Sequence, residues 1–403
     1  MASDNTTDKS CFQKHPAMTI ALFTLLASLV LIFCVELVLA IINVESPPKK
    51  TSPGVKRCIR LKDLGANTFR HTVPSDEYMT KCDTLVQKQY ILRTDDDGFI
   101  MPSKRHDHPD LTLVFLGGST TECVYVNEEM RFPYLAGHVL EEKTGKKVNS
   151  YNGGVSGNNS MHSINALINK VVPLKPQIVV IEHNINDLGI LLYEGTYWND
   201  NPSKSLVQVQ IPNKPEASPI ICFKTLVRTA IPNIYERMWR IKNKLRRRAR
   251  VDEFAHIRGK KLSMNKGKLI SEFEMSLNMF ISVCRARGIT PVLMTQANRY
   301  RDNPDEIVLR KLDPLFSLGI GYSNYKDVYD AFNDTVRKVG RVNDVLVIDL
   351  ATQVPQESKW MYDTIHLNNA GSKLVASIIS KKLMSLAWIR EKAGPLPQTG
   401  QTP

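Results

Sequence analysis

The chain has 403 residues, 42% of them hydrophobic and 23% charged, with a formal net charge of +13 at pH 7. This is the composition of a globular protein with room for one large domain or two modest ones. The seven cysteines are scattered with no zinc-type pairs, which excludes a cysteine-built metal framework, and an odd number cannot all pair within the chain. The charge permits contact with anionic lipid, polysaccharide or nucleic acid without choosing among them.

Residues 1–16 read as a tail. Ala17–Ile42, AMTIALFTLLASLVLIFCVELVLAII, is almost continuously apolar and long enough to cross a bilayer as one helix. Its single charge, Glu36, lies near the end of the span, where the interface tolerates it. No small-x-small cleavage motif precedes Pro47-Pro48, so residues 17–42 read as an uncleaved single-pass anchor. Lys49, Lys50, Lys56, Arg57, Arg60 and Lys62 follow it, and the positive-inside rule puts the large domain in the cytoplasm. The chemistry inferred below is more often needed outside, and the reading adopted is an extracytoplasmic domain.

Residues 43–106 read as a spacer and cap region, with a short strand or turn at Tyr90–Arg93 and a turn at Asp95-Asp96-Asp97-Gly98. Cys58 and Cys82 could bridge in an oxidising compartment; the alternative is that such cysteines are small buried hydrophobes. From Leu111 onward, apolar runs alternate with amphipathic segments. The expected strands are Leu111–Leu116, Val148–Tyr151, Gln177–Glu182, Thr290–Thr295 and Val345–Asp349. The expected helices are Phe132–Thr144, Ser160–Val172, Ile270–Arg287, Ser323–Val339 and Gly371–Trp388. The pattern predicts an α/β domain over residues 107–390, a three-layer sandwich with a five-stranded parallel sheet whose strand C-termini share one edge. An insertion is expected at about residues 191–268, and residues 391–403 read as a flexible tail. Within the insertion, a basic helix around residues 237–250 ends in RIKNKLRRRAR. It suits either the phospholipid headgroups or solvent with one face buried. No nucleic-acid module surrounds it, so no nucleic-acid partner is expected.

Four segments carry chemistry. In LTLVFLGGSTTEC a strand ends at Gly117-Gly118 and Ser119 opens a helix, the layout of a nucleophile elbow; a plain helix cap is the alternative. In Asn152-Gly153-Gly154-Val155-Ser156-Gly157 the glycines allow a backbone N–H to face a developing oxyanion. In QIVVIEHNINDLG the amide of Asn186, just past a strand end, can donate to the same oxyanion, its bland role being an Asx turn. Asp187 reads as a loop brace, and His183 as a residue that orders the loop more than as a catalytic partner of Glu182. Finally, Asp363 and His366 lie three apart before a helix, so one loop turn lets the carboxylate fix Nδ1 while Nε2 faces Ser119. Asp and His at this spacing also occur as metal ligands, but no further ligands converge on them.

These blocks, LGGSTTE, NGGVSG, NIND and DTIH, stand in the order of the SGNH (GDSL-like) hydrolase superfamily, which the sequence resembles over about Leu111–Trp388 outside the insertion. The resemblance implies the SGNH/flavodoxin-like fold, Ser119 as nucleophile, Asp363 and His366 as acid and base, and the N–H groups of Ser119 and Gly154 with the Asn186 side chain as an oxyanion hole. It implies no cofactor and no metal. Gly118 departs from the acidic residue usual before the serine, and Asn184 from a usual glycine. The function expected is a membrane-anchored serine esterase that removes a small acyl group, acetyl in the first instance, from a carbohydrate or other hydroxylated substrate. The alternatives are an O-acyltransferase of envelope or exopolysaccharide modification, and a non-catalytic membrane-tethered carbohydrate-binding or assembly protein. Lipase activity would call for a broad apolar pocket.

Overall fold

The computed structural model describes residues 12, 15–42, 56–210, 227–235, 237, 238, 241 and 255–390. The chain divides into two compact units, residues 1–56 with 209–252, and residues 57–208 with 253–403.

In the first unit, helix α1 (Pro16–Ile42) is long and apolar enough to cross a membrane; its place near the N-terminus fits a membrane span or a signal sequence. Glu36 is not merely tolerated. Its Oε1 accepts the backbone N–H and the side-chain amide of Asn233 (2.9 and 2.7 Å), and its Oε2 accepts the N–H of Ile234 (3.1 Å). Of the expected basic helix only Arg237, Met238 and Ile241 are described, so that expectation lies outside the described residues, as do the spacer 43–55 and the tail 391–403.

The second unit carries near its start an antiparallel pair, β1 (Phe69–Thr72) and β2 (Tyr90–Arg93), the latter where a strand or turn was expected. Then come β3 (Leu111–Gly117), the short helix α2 (Ser119–Glu122), α3 (Phe132–Thr144), β4 (Val148–Gly154) and α4 (Ser160–Ala166). They are followed by β5 (Ile178–Glu182), α5 (Ile185–Glu194), α6 (Lys266–Ala286), β6 (Thr290–Met294), α7 (Glu306–Ser317), α8 (Tyr322–Val342), β7 (Leu346–Ile348) and α9 (Asn369–Leu383). The five strands β3 to β7 form one sheet in the order β4-β3-β5-β6-β7, and every neighbouring pair is parallel. Gly117 pairs with both Gly154 and Glu182, and Glu182 with Met294, so four strands end level.

Strand alternation sorts the sheet's side chains. Leu111, Leu113 and Phe115 join one core with residues of α3 and α9, while Val114 and Leu116 join the other with residues of α5, α6 and α8. On α6 the buried positions Leu269, Phe273, Leu277, Phe280 and Cys284 recur every three or four residues, the spacing of one helix face. Cys123 and Cys284 are buried, but Cys58 and Cys82 are both free, so the candidate bridge is not formed.

Several boundaries differ from expectation. β4 runs to Gly154 because it pairs with β3 along its whole length, which takes Asn152-Gly153-Gly154 out of the expected turn and into the strand. Helix α5 was not expected; it ends at Gly195, whose φ of 72° closes it, so the excursion begins later than residue 191. Helix α7 was also missed, masked by an internal Pro314.

Polar groups are buried between the layers. His162 and His183 are pushed down to about 3 by burial, His162 further by Lys62, Lys204, His183 and Arg60. Asp187 is pushed up to about 6 by burial, against hydrogen bonds from Ser160 and Tyr197.

Gly117 has no room for a side chain, since a Cβ there would strike Thr121 and lie 2.9 Å from the Glu182 carbonyl. Gly117→Ala is expected to destabilise the unit by about 1–3 kcal/mol, the range of overpacking, read from the denaturant midpoint. The histidines set a pH dependence. A base whose folded pKa is depressed contributes stability that is complete above its unfolded value, about 6.5, and lost as pH falls towards 3. The raised Asp187 has the opposite sign, losing its contribution as pH rises through about 6. Between pH 7 and about 4, the melting temperature of His183→Gln is therefore expected to fall less than that of the parent; an equal fall removes the assignment.

Candidate active site

The site is built on the level strand ends. β3 stops at Gly117, Gly118 turns the chain, and Ser119 starts α2, which Cys123 closes in the left-handed conformation. Polar bonds beneath the turn hold α2 in place. The hydroxyls of Thr120 and Thr121 donate to Glu182 Oε2 (3.0 and 2.7 Å), and Gln296 Nε2 donates to Thr120 Oγ1 (3.0 Å). Tyr329 in turn donates to Gln296 Oε1 (2.8 Å). Burial pushes the Glu182 carboxyl up, while the two threonine hydroxyls pull it back. These bonds fix the α2 backbone on β5, so Ser119 is carried by a rigid support.

His366 comes from the loop before α9, where Asn368 caps the helix by accepting the Gly371 N–H (2.9 Å). Its ring stacks on Tyr362, with centroids 5.6 Å apart and planes 5° from parallel. Its Nε2 is 2.8 Å from Ser119 Oγ and its Nδ1 is 2.8 Å from Asp363 Oδ2. Asp363 is fully buried. Its Oδ1 accepts the N–H groups of Ile365 (2.9 Å) and His366 (2.8 Å), and its Oδ2 also takes Lys311 (3.2 Å) and the Tyr78 hydroxyl (3.4 Å). Burial alone would raise this carboxyl, but His366, Lys311 and the Ile365 N–H hold it well below the usual carboxylate range.

Asn186 lies in the first turn of α5, and its Nδ2 donates to the Asn158 carbonyl (2.8 Å). A Cβ on Gly118 would collide with that same Nδ2, so the amide occupies the space that a side chain at residue 118 would fill. This gives a physical reason for glycine where the resemblance has an acid.

Gly154 requires a correction. Its N–H donates to Asn152 Oδ1 (2.9 Å), within its own extended strand, so it is not a free oxyanion donor. Glu182 and His183 do not form a catalytic pair either. Glu182 faces the threonines, whereas His183 Nε2 bonds the Ser163 hydroxyl (2.7 Å) and its Nδ1 lies 3.5 Å from Asp187. Ser160, His183 and Asp187 lie close together, yet all three are buried and knit α4 to α5 as a brace.

Three contributors were not foreseen. Lys311 and Tyr78 both reach Asp363, and the buried Arg299 ties its loop down through Asp83 and Asp305 (2.7 Å each) while its backbone N–H donates to Thr364. Nothing beside Lys311, Tyr78 or Arg299 in the sequence signals the site; the fold alone joins them to it. Among the described residues, no group of three or more His, Cys, Asp or Glu side chains is placed to hold a metal.

Comparison with solved structures gives many matches of similar strength, three of which follow. An acetylxylan esterase from Geobacillus stearothermophilus, in the form of a catalytic mutant, matches at 13% identity over 68% of this chain and 94% of its own, with a TM-score of 0.39. An α/β hydrolase from the metagenome of Lake Arreo, Spain, matches at 13% identity over 70% and 97%, with a TM-score of 0.38. A second acetyl xylan esterase matches at 14% identity over 68% and 98%, also with a TM-score of 0.38. Similarity at that level says nothing of substrate. No curated protein matches the chain in sequence. The model of the GDSL-like lipase/acylhydrolase family, by contrast, matches residues 115–374, more than half of the chain and every strand from β4 to β7. The chain belongs to the GDSL-like lipase/acylhydrolase family.

Proposed function

We propose that the protein is a serine esterase that removes a small acyl group from a carbohydrate or other hydroxylated substrate. The observation that carries this reading is the unbroken hydrogen-bond line from Asp363 through His366 to Ser119, each link 2.8 Å. In the proposed reaction His366 Nε2 takes the Ser119 proton as Oγ attacks the ester carbonyl, and then gives it to the leaving alcohol. Asp363 stays ionised and holds the imidazole by Nδ1; its depressed pKa and its burial suit that role. A water molecule, activated by the same imidazole, then releases the acid. The oxyanion is held by the Ser119 N–H at the start of α2 and by the Asn186 amide. The Gly157 amide replaces Gly154 as third donor. Its φ is 74°, and the adjoining Asn158 carbonyl is the one that Asn186 grips.

The proposal extends to α1 as a single-pass anchor with the esterase unit outside the cytoplasm, against the basic flank after residue 48. A cysteine engineered beyond Gln398 is expected to react with an impermeant reagent on intact cells, and protection of that cysteine would place the unit inside.

Ser119→Ala and His366→Ala are each expected to remove nearly all turnover of a small aryl acetate, with Asp363→Asn leaving a larger residue of activity than His366→Ala. Asn186→Ala is expected to lower kcat by about 10²–10³-fold. Mass spectrometry after brief exposure to an activated acyl donor is expected to find the acyl group on Ser119. Full esterase activity in Ser119→Ala defeats the reading, and acyl transfer to an added glycan in place of hydrolysis reassigns the second step.

A further inference from the structure

Beside Asn186 the hydrolase unit opens a cavity of about 290 Å³. Its walls are mainly hydrocarbon: Ile185, Ile190 and Tyr193 from α5, Leu312 and Leu315 from α7, and Ile365 from the loop that carries Asp363 and His366. Two ammonium groups also border it, but Lys311 Nζ is drawn to Asp363 (3.2 Å) and Lys204 Nζ to the Gly157 carbonyl (3.1 Å). The volume is close to the lower end of small-ligand pockets, so an acetyl methyl would leave most of it empty.

Gly189 lies in the middle of α5 and lines the same cavity. Glycine is the poorest helix former after proline, so a mid-helix glycine calls for a local reason. For Gly137, Gly340 and Gly371, inside other helices, the reason is contact: Cβ atoms there would strike Ser150, Val347 and Trp360. A Cβ on Gly189 would meet nothing within 4 Å, and its φ is not in the left-handed region. What its missing side chain leaves is room in the cavity.

We infer that this cavity receives the acyl chain of the substrate, a hydrocarbon several carbons longer than acetyl, and that Gly189 sets the length accepted. The inference rests on the esterase reading above. The acyl chain, not the alcohol, belongs here for two reasons. The leaving oxygen must lie at His366 Nε2 to receive its proton, which assigns the alcohol to the His366 side. The carbonyl oxygen belongs at the Asn186 amide, which borders the cavity, so the acyl carbons on the far side of the carbonyl continue into it.

The test uses the full chain in detergent with p-nitrophenyl acetate, butyrate and hexanoate. For the parent, kcat/KM is expected to rise about threefold to fourfold per added methylene up to hexanoate, the worth of burying each CH₂. Gly189→Trp is expected to lower hexanoate turnover by about tenfold or more while acetate stays within about twofold. Gly189→Ala, a small change that favours the helix, is expected to raise the melting temperature and keep the preference for hexanoate. A parent that prefers acetate, or a tryptophan variant that loses acetate and hexanoate equally while its melting temperature is unchanged, overturns the proposal. So does a loss that follows the alcohol when the acyl group is held constant. Calorimetric titration with hexanoate and acetate reads the cavity without turnover. Tighter binding of hexanoate to the parent, abolished in Gly189→Trp, supports the proposal, and equal binding overturns it. Binding of that kind with no hydrolysis of any ester sinks the esterase reading alone.

Discussion

The structure depends on a carboxylate that has lost all of its water. Asp363 is fully buried, and an ion in that position is tolerable only when its oxygens are filled by donors. Two backbone N–H groups, an imidazole, an ammonium and a phenol supply them. They come from three places in the chain: the loop before α9, helix α7, and the cap region around Tyr78. The demand of one small anion therefore binds together elements that sequence separates by hundreds of residues. It also explains why Lys311 can border an apolar cavity, since its charge is satisfied at Asp363.

The level strand ends serve a second constraint, that reacting groups must meet without strain between layers. Gly117 pairs on both sides at the same height, so whatever follows β3, β4 and β5 emerges at one edge. The two glycines before Ser119 then let backbone and side chains approach too closely for any Cβ: Thr121 and the Glu182 carbonyl at Gly117, the Asn186 amide at Gly118. Gly189 serves the opposite purpose, leaving space unfilled.

Much of this was legible in the chain. The apolar run Leu111–Leu116 ahead of two glycines and a serine is a local pattern, as is Asp363 three residues before His366, and local patterns survive into structure. Helices α3 and α8, which no proline interrupts beyond the first turn, were read closely: Phe132–Thr144 at both ends, and Ser323–Val339 within Tyr322–Val342. Where reading failed, the deciding information was not local. Gly154 looked like a turn residue, but pairing with β3 extended β4 through it and gave its N–H to Asn152. Helix α7 buries Val308, Leu312 and Leu315 along one face, but Pro314 lies inside it, and a proline at that place reads locally as a helix breaker. Lys311 is one of many lysines in a basic chain, and nothing near it in sequence announces a buried anion. Cys58 and Cys82 offered a spacing, and spacing is no guide to whether two sulfurs meet.

Glu36 raises a question of timing. Its carboxylate is held by Asn233 and Ile234, 197 and 198 residues further along the chain. At translation rates of about 5–20 residues per second, those partners leave the ribosome roughly 10–40 s after the apolar helix does. For a helix that enters a bilayer as it is made, the charge must be carried through that interval by water and headgroups alone. Its place near the end of α1 makes such a wait affordable, whereas the same acid at the middle of the span would oppose insertion before its partners existed. The position of Glu36 thus answers to the order of synthesis as well as to the finished fold.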